Sequence, residues 1–298
     1  MTIRTIYNAA IFTRGISDSA MRVIALFLLF LTVHQSAFAA NRLYADNQFA
    51  NNAGFTWDWS VGAQYTYEDP YLEGLSDASQ HFEANLNLAL SYGNFYLDFD
   101  QSQLSGGLIL GYNLFDHNSW SLDVVGLQLQ PGFSESGSGL HNSKVIKEAL
   151  RGIKTRNYDF DVGVRLTRQY HDTQLSVELL HDVTGSHNGW IATSFLSHIH
   201  PWRNWEFRSG VGFNAYSEAF ADYYFGVSPT EATTSRNAYK SDTAFALLFE
   251  FHAEYPLNQH WVFLAGWMST WFSPDIANSP LVQQDYQHKA MVGVRYVF

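Results

Sequence analysis

The amino-acid sequence predicts an all-β protein, a transmembrane antiparallel β-barrel of about 12 strands with short periplasmic turns and longer extracellular loops. Three observations predict it. Apolar residues recur with a period of two from residue 55 to the C-terminus. Most of these runs are ten residues or longer, whereas a globular strand averages about five or six and a tilted membrane strand needs about nine to eleven. The connections between runs alternate between tight turns and long loops.

Composition agrees with a lipid-facing surface. Of the 298 residues, 16% are aromatic and only 15% are charged, against about 25% charged in a soluble domain. Mean hydropathy is nonetheless −0.16, so the apolar residues are spread along strands and not collected in helical spans. The 28 acidic and 17 basic residues give a net charge of −11, which argues against a nucleic-acid partner, since that needs a basic face. There are no cysteines, so no disulfide, thiolate nucleophile or Cys-ligated metal is available.

One stretch departs from the pattern. Val23 to Val33 reads VIALFLLFLTV, with Arg22 before it and Ala37-Phe38-Ala39 after it. An apolar run of this length is too short to span a bilayer, and the flanks are those of a secretory signal. Residues 1–39 are therefore expected to be a signal peptide and 40–298 the exported barrel. Residues 21–39 already form a complete signal, so Met21 is an alternative start.

The strands follow in order. In 55–67, Phe55, Trp57, Trp59, Val61, Ala63, Tyr65 and Tyr67 oppose Thr56, Asp58, Ser60, Gly62, Gln64 and Thr66. In 80–92, Phe82, Ala84, Leu86, Leu88, Leu90 and Tyr92 oppose Glu83, Asn85, Asn87, Ala89 and Ser91. Further runs are 95–101, 106–115, 120–130, 158–170, 173–183, 190–200, 204–215, 242–255, 260–271 and 287–298. An even count places both termini on the periplasmic side. Tight connections fall at Gly93-Asn94, Asp116–Ser119, His171-Asp172, Pro201–Arg203 and Pro256–Gln259, and long ones at 68–79, 131–157, 216–241 and 272–286. The outer connections 102–105 and 184–189 are short exceptions. At Val124-Val125 the alternation slips phase, which predicts a bulge or a shifted boundary.

The last strand ends on Phe298, with Tyr296, Val294, Val292 and Ala290 on its face. That pattern resembles the signal read by the barrel-assembly machinery, an expected partner. The other expected partners are outer-membrane lipid and lipopolysaccharide.

No catalytic, cofactor-binding or metal-ligating set emerges, and the chain is expected not to be an enzyme. His181 and His187 lie near a short outer loop, where a histidine could act as a base. Barrel phospholipases place a nucleophilic Ser two residues after the His, but the residues here are Val183 and Gly189. His181-Asp182 and His171-Asp172 are sequence neighbours, so on a strand they point to opposite faces. His198 and His200 share a face and could take a metal, although the periplasmic interface is the simpler place for them. Ser143 to Lys154 has helical spacing, with Val145, Ala149 and Ile153 in one stripe and Lys144, Lys147, Arg151, Lys154 and nearby Arg156 supplying charge. It is read as a solvated helix over the barrel mouth, with an interface to lipopolysaccharide phosphates as the alternative. Asp58, Glu83, Asp98, Asp161, Arg165, Glu178, Glu206, Arg208, Glu250, His252 and Arg295 are expected to face the lumen.

Tyr223-Tyr224-Phe225-Gly226-Val227-Ser228-Pro229 resembles a signature of the MipA/OmpV family. Tyr92-Gly93-Asn94-Phe95, Gly111-Tyr112-Asn113-Leu114, Asp182 to Gly189 (DVTGSHNG) and Ser279-Pro280-Leu281-Val282 agree with it in order, and Ala149-Leu150-Arg151-Gly152 is a looser match. The resemblance implies a non-enzymatic outer-membrane barrel. It also implies a scaffold that links a periplasmic murein lytic transglycosylase to a murein synthase, and it carries no catalytic residues. The residues themselves leave two other readings open: a narrow channel for small solutes, from the charged lumen, and an outward-facing adhesin or receptor, from loops 131–157 and 216–241.

Overall fold

In a computed structural model of the protein, residues 54–73, 80–138 and 148–298 are described. The expected signal peptide, residues 40–53 and much of the expected helix at 143–154 lie outside them. Twelve strands close into one antiparallel ring. They are β1 (Phe55–Glu68), β2 (Gln80–Tyr92), β3 (Phe95–Asp100), β4 (Leu108–His117), β5 (Trp120–Leu127), β6 (Asp161–Tyr170), β7 (Thr173–Asp182), β8 (Trp190–Trp202), β9 (Trp205–Tyr216), β10 (Ala244–Pro256), β11 (Trp261–Phe272) and β12 (Tyr286–Val297). Each pairs with its sequence neighbours, and β12 returns to β1 in a ladder from Ser60↔Val297 to Glu68↔Lys289. Closure gives the first and last strands their missing partners, which a membrane demands because lipid offers backbone N–H and C=O groups none.

The period of two sorts the side chains as the sequence predicts. Along β2, Asn85, Asn87, Ala89 and Ser91 are buried inward, and Phe82 and Tyr92 are exposed outward. Along β10, Phe245, Leu247 and Phe251 are exposed while Ala246, Glu250 and His252 are buried. Outward aromatics gather near both ends: Tyr92, Phe95, Trp120, Tyr170, Trp202 and Trp261 by the tight turns, and Phe82, Trp190, Phe245, Trp271 and Tyr286 by the connections at the opposite end. Amphipathic rings favour the two lipid–water interfaces. At the turn end Arg203 and Arg168 lie over the Trp202 and Trp120 rings at 5.1 and 4.8 Å.

The turns follow from residues that tolerate a left-handed backbone. Gly93 has φ 58°, and Asn118, Ser119, His171 and Arg203 lie between 50 and 65°. The β8–β9 turn sits later than expected: Pro201 is still paired with Glu206, and Trp202 with Trp205.

Three expectations are corrected. The irregularity near Val124-Val125 lies on the partner strand: β5 is continuous, and β4 skips a register between Asn113 and Phe115. Val125 is buried with Leu127 because the inward face turns apolar there to meet a core. The ladder between β5 and β6 stops at Leu127↔Asp161, short of 130 and 158. There the Asp159 carboxylate accepts the Leu129 and Gln130 N–H groups at 3.0 and 3.1 Å, replacing ladder bonds with side-chain bonds. The short connection after β3 turns into the lumen: Ser102 and Gln103 are buried, Asn87 Oδ1 accepts the Gln101 and Ser102 N–H groups, and Arg295 donates to Ser102 Oγ at 3.1 Å.

The sorting of faces is testable on β7. Val177→Arg places a charge on the lipid face near mid-strand and is expected to lower folding stability by about 2–4 kcal/mol. Ser176→Arg, one residue away on the lumen face, is expected to cost far less. Urea titration of protein folded into vesicles measures both.

Candidate functional site

Residues of the long loops fold into the mouth of the barrel and pack against its wall as a plug. Helix α1 (Glu218–Phe225) follows β9, starting at Ser217, whose Oγ accepts the Phe220 N–H. The short helix α2 (Pro274–Ala277) follows β11. Phe220, Tyr224, Ile276, Leu281, Leu150 and Ile153 from the loops pack on Val125, Leu180 and Ile191 of the wall as one buried apolar cluster. Burying side chains of this size contributes about 1.5–3 kcal/mol each.

A buried ion pair holds the plug. Arg156 Nη1 lies 2.9 Å from Glu231 Oε1, with both side chains under 10% exposed. Glu231 also accepts the Lys154 N–H at 2.8 Å, and its other oxygen accepts Ser228 N–H and Oγ–H. Burial raises the Glu231 pKa, but the bonds from Arg156, Ser228 and the backbone outweigh it, and the carboxyl falls to about 2. Arg236 donates to the carbonyls of Ala149 at 2.6 Å and Arg151 at 2.8 Å. Residues 148–150 form one 3-10 turn, and Leu150, Ile153 and Arg156 are buried. The described part of 143–154 is thus neither a solvated helix nor a lipid-facing one, because the plug claims its apolar residues.

The motif residues are the plug's joints. Tyr224 is fully buried and donates from its hydroxyl to Asn157 O at 3.0 Å, while Tyr223 Oη accepts the Asn157 N–H at 2.7 Å. Phe225 is buried, and its carbonyl accepts Ser279 Oγ–H at 2.6 Å. Gly226 O accepts from Arg156, and a Cβ on Gly226 would run into Asp222 O. Val227 bridges to Tyr239, Ser228 anchors Glu231, and Pro229 is exposed. Leu281 is fully buried and Val282 bridges to Leu72. At the turn end two further motif segments meet, Asn94 Nδ2 donating to Asn113 O at 2.8 Å.

Below the plug the lumen is polar. Arg165 pairs with Glu178 at 2.6 Å, Arg295 with Glu254 at 2.7 Å, Arg208 with Glu206 at 3.1 Å, and His252 with Glu250. The segment 101–107 crosses toward β12 through Ser102–Arg295. It leaves a cavity of about 560 Å³ whose lining runs from Gly93, Asn94, Ser119 and Gln169 at the turn end to Leu127 and Leu129 under the plug.

The histidines separate. His198 is exposed, with Nδ1 bonded to Thr173 Oγ1 at 2.8 Å, and His200 is exposed too. His181 and Asp182 point to opposite faces. Asp182 instead closes the DVTGSHNG loop by accepting the N–H groups of Thr184, His187 and Asn188 at 2.7–2.9 Å. That loop carries His187 inward to Asp159 and Asp161, a buried grouping that the sequence did not disclose. Burial pushes the Asp159 carboxyl up to about 6, against the bonds from Gln130 and Leu129.

The ring, its lipid-facing band and its plugged mouth define a transmembrane β-barrel of the outer-membrane kind. A family profile described as MltA-interacting protein MipA matches residues 61–298. The chain belongs to the MipA family, whose curated relatives are outer-membrane proteins. Outer membrane protein OmpV of Vibrio cholerae is 26% identical over 93% of this chain and 100% of its own length. Omp26La of Vibrio anguillarum is 25% identical over 93% and 100%. Among solved structures, an anion-selective porin from Comamonas acidovorans aligns with a TM-score of 0.41 at 9% identity, covering 82% of this chain and 99% of its own. The localisation is the outer membrane, so the turn end faces the periplasm and the loop end the exterior.

Two outcomes test the plug. Arg156→Leu strands the buried Glu231 charge and is expected to weaken the plug by about 3–5 kcal/mol. Lys240→Ala removes only the exposed pair with Glu218 and is expected to leave the plug's protection unchanged, because solvent screens such a pair. Hydrogen exchange across 218–239 reports both. The depressed Glu231 pKa adds stability that is fully present above the ordinary carboxylate value of 4.5 and lost as pH falls through about 2. The plug's denaturation midpoint, followed by near-ultraviolet dichroism, is therefore expected to fall between those pH values.

Proposed function

We propose that this barrel is a non-enzymatic scaffold that holds a murein lytic transglycosylase, and with it a murein synthase, at the periplasmic face of the outer membrane. The observation that carries the reading is the plug: an apolar core and a buried ion pair from the outer loops occupy the outer opening. The wall thus presents its accessible rim and cavity on the periplasmic side. The family description names interaction with MltA, and of the motif segments two, at Asn94 and Asn113, meet at the turn end while the others build the plug. A partner needs about 800 Å² of surface. Among the described residues, the five tight turns and the strand ends beside them are the parts of this chain within a periplasmic partner's reach.

Photo-crosslinkers at His171 and Arg203, both at turn tips, test the reading in living cells. A lytic transglycosylase adduct is expected from at least one turn position. Its absence from both, with the barrel folded, would contradict the scaffold.

The charged lumen supports a second reading, a narrow channel for small solutes. The two separate in planar bilayers. The intact scaffold is expected to give no discrete conductance steps, and regular steps from the intact protein would favour the channel.

A further inference from the structure

Where β6 enters the wall beneath the plug, three side chains from two distant segments converge. Asp161 opens β6 and Asp159 lies two residues before it, while His187 comes from the loop between β7 and β8. All three side chains are fully buried. His187 Nε2 lies 3.3 Å from Asp161 Oδ1 and 3.9 Å from Asp159 Oδ2, and the ligand-type atoms all fall within 4.8 Å of one another.

The grouping is short of positive charge. Neither Asp161 oxygen has a hydrogen-bond partner among the described residues, nor does His187 Nε2. Neither carboxylate has a Lys or Arg ion-pair partner among them. His187 Nδ1 accepts the Gly189 N–H at 3.0 Å. Two carboxyl groups buried beside one imidazole, with no Lys or Arg partner among the described residues, call for a cation, since buried charge without a partner is strongly unfavourable.

We propose that Asp159, Asp161 and His187 form a site for one divalent transition-metal ion, with Zn²⁺ the best fit. One such ion cancels the two carboxylates. Ligands about 2.0–2.1 Å from a tetrahedral Zn²⁺ lie about 3.4 Å from one another, near the 3.3 and 3.9 Å from His187 Nε2 to Asp161 and Asp159. Ca²⁺ takes about six to eight oxygens, more than these three side chains supply. Asp161 has both oxygens free for the metal, and Asp159 is aimed by the Leu129 and Gln130 N–H groups. Ligation through Nε2 moves the ring proton to Nδ1 and gives up the Gly189 bond. The His187 ring also packs edge-on against Phe220 of α1 at 4.8 Å. The ion would therefore tie the wall, the DVTGSHNG loop and the plug helix together, a structural role independent of the scaffold reading.

The test uses full-length protein extracted from outer membranes in detergent and dialysed against metal-free buffer. Elemental analysis is expected to find about one Zn²⁺ per chain, and Asp161→Asn, which keeps the shape and removes the charge, is expected to retain about tenfold less or lower. Heat-modifiable migration on gels confirms that the variant is folded. Independently of any variant, X-ray absorption of the loaded protein is expected to show only oxygen and nitrogen neighbours, and a chelator is expected to lower the melting temperature. A wild-type protein that holds no metal and does not shift on adding Zn²⁺ or Mn²⁺ would overturn the proposal and leave the cluster as a proton site. Equal metal in Asp161→Asn, or retention of Ca²⁺ instead, would overturn it as well.

Discussion

The ladder between the first and last strands is the constraint on which the other features rest. In lipid a backbone amide without a partner has no water to turn to, so no strand of this wall can be an edge. Nine register pairs between β1 and β12 remove that edge. Once the ring closes, each strand has a lipid side and a lumen side, and alternate residues must differ in polarity. The lumen then gathers the charges that lipid refuses. They survive there as close pairs such as Arg165–Glu178 and Arg295–Glu254, each charge neutralised near its partner.

A closed ring of twelve strands is wide enough to need filling, and this chain fills it from one end. Apolar side chains of the outer loops meet Val125, Leu180 and Ile191, where the inward face of the wall itself becomes apolar. The plug is thus a small globular core built inside a membrane barrel. Its polar joints obey the rules of soluble interiors: Glu231 takes bonds from Arg156, Ser228 and the Lys154 N–H, and Asp182 is satisfied by its own loop. Motif segments far apart in the chain, Ala149–Gly152 and Ser279–Val282, converge on the same core. Their conjunction in sequence order thus has a packing cause.

The wall was legible in the sequence because its signal is local. A period of two needs only adjacent residues, and the strands from β1 to β12 fall within a few positions of where alternation places them. Elements governed by tertiary contacts were not legible. Val125 looked like a slip of phase because an apolar inward residue is anomalous for a wet lumen and ordinary under a plug. The stripe at Ala149 and Ile153 looked like a surface helix, since nothing nearby in sequence reveals that Arg156 pairs with Glu231. The acid–histidine grouping hid for the same reason: Asp161 and His187 belong to different segments, and only the β6–β7 hairpin and the loop after it bring them together. Asp159-x-Asp161 at a strand start was the one visible half of it.

Ring closure in the stated register is the central claim, and the absence of native cysteines makes it directly measurable. Ala63 and Val294 face each other across β1 and β12. In the double variant Ala63→Cys with Val294→Cys, the two thiols are expected to cross-link within a single chain in the native outer membrane. A thiol at position 63 that links only to a neighbouring chain, or that prefers the thiol of Tyr296→Cys, would show an open or shifted seam and contradict the closed ring.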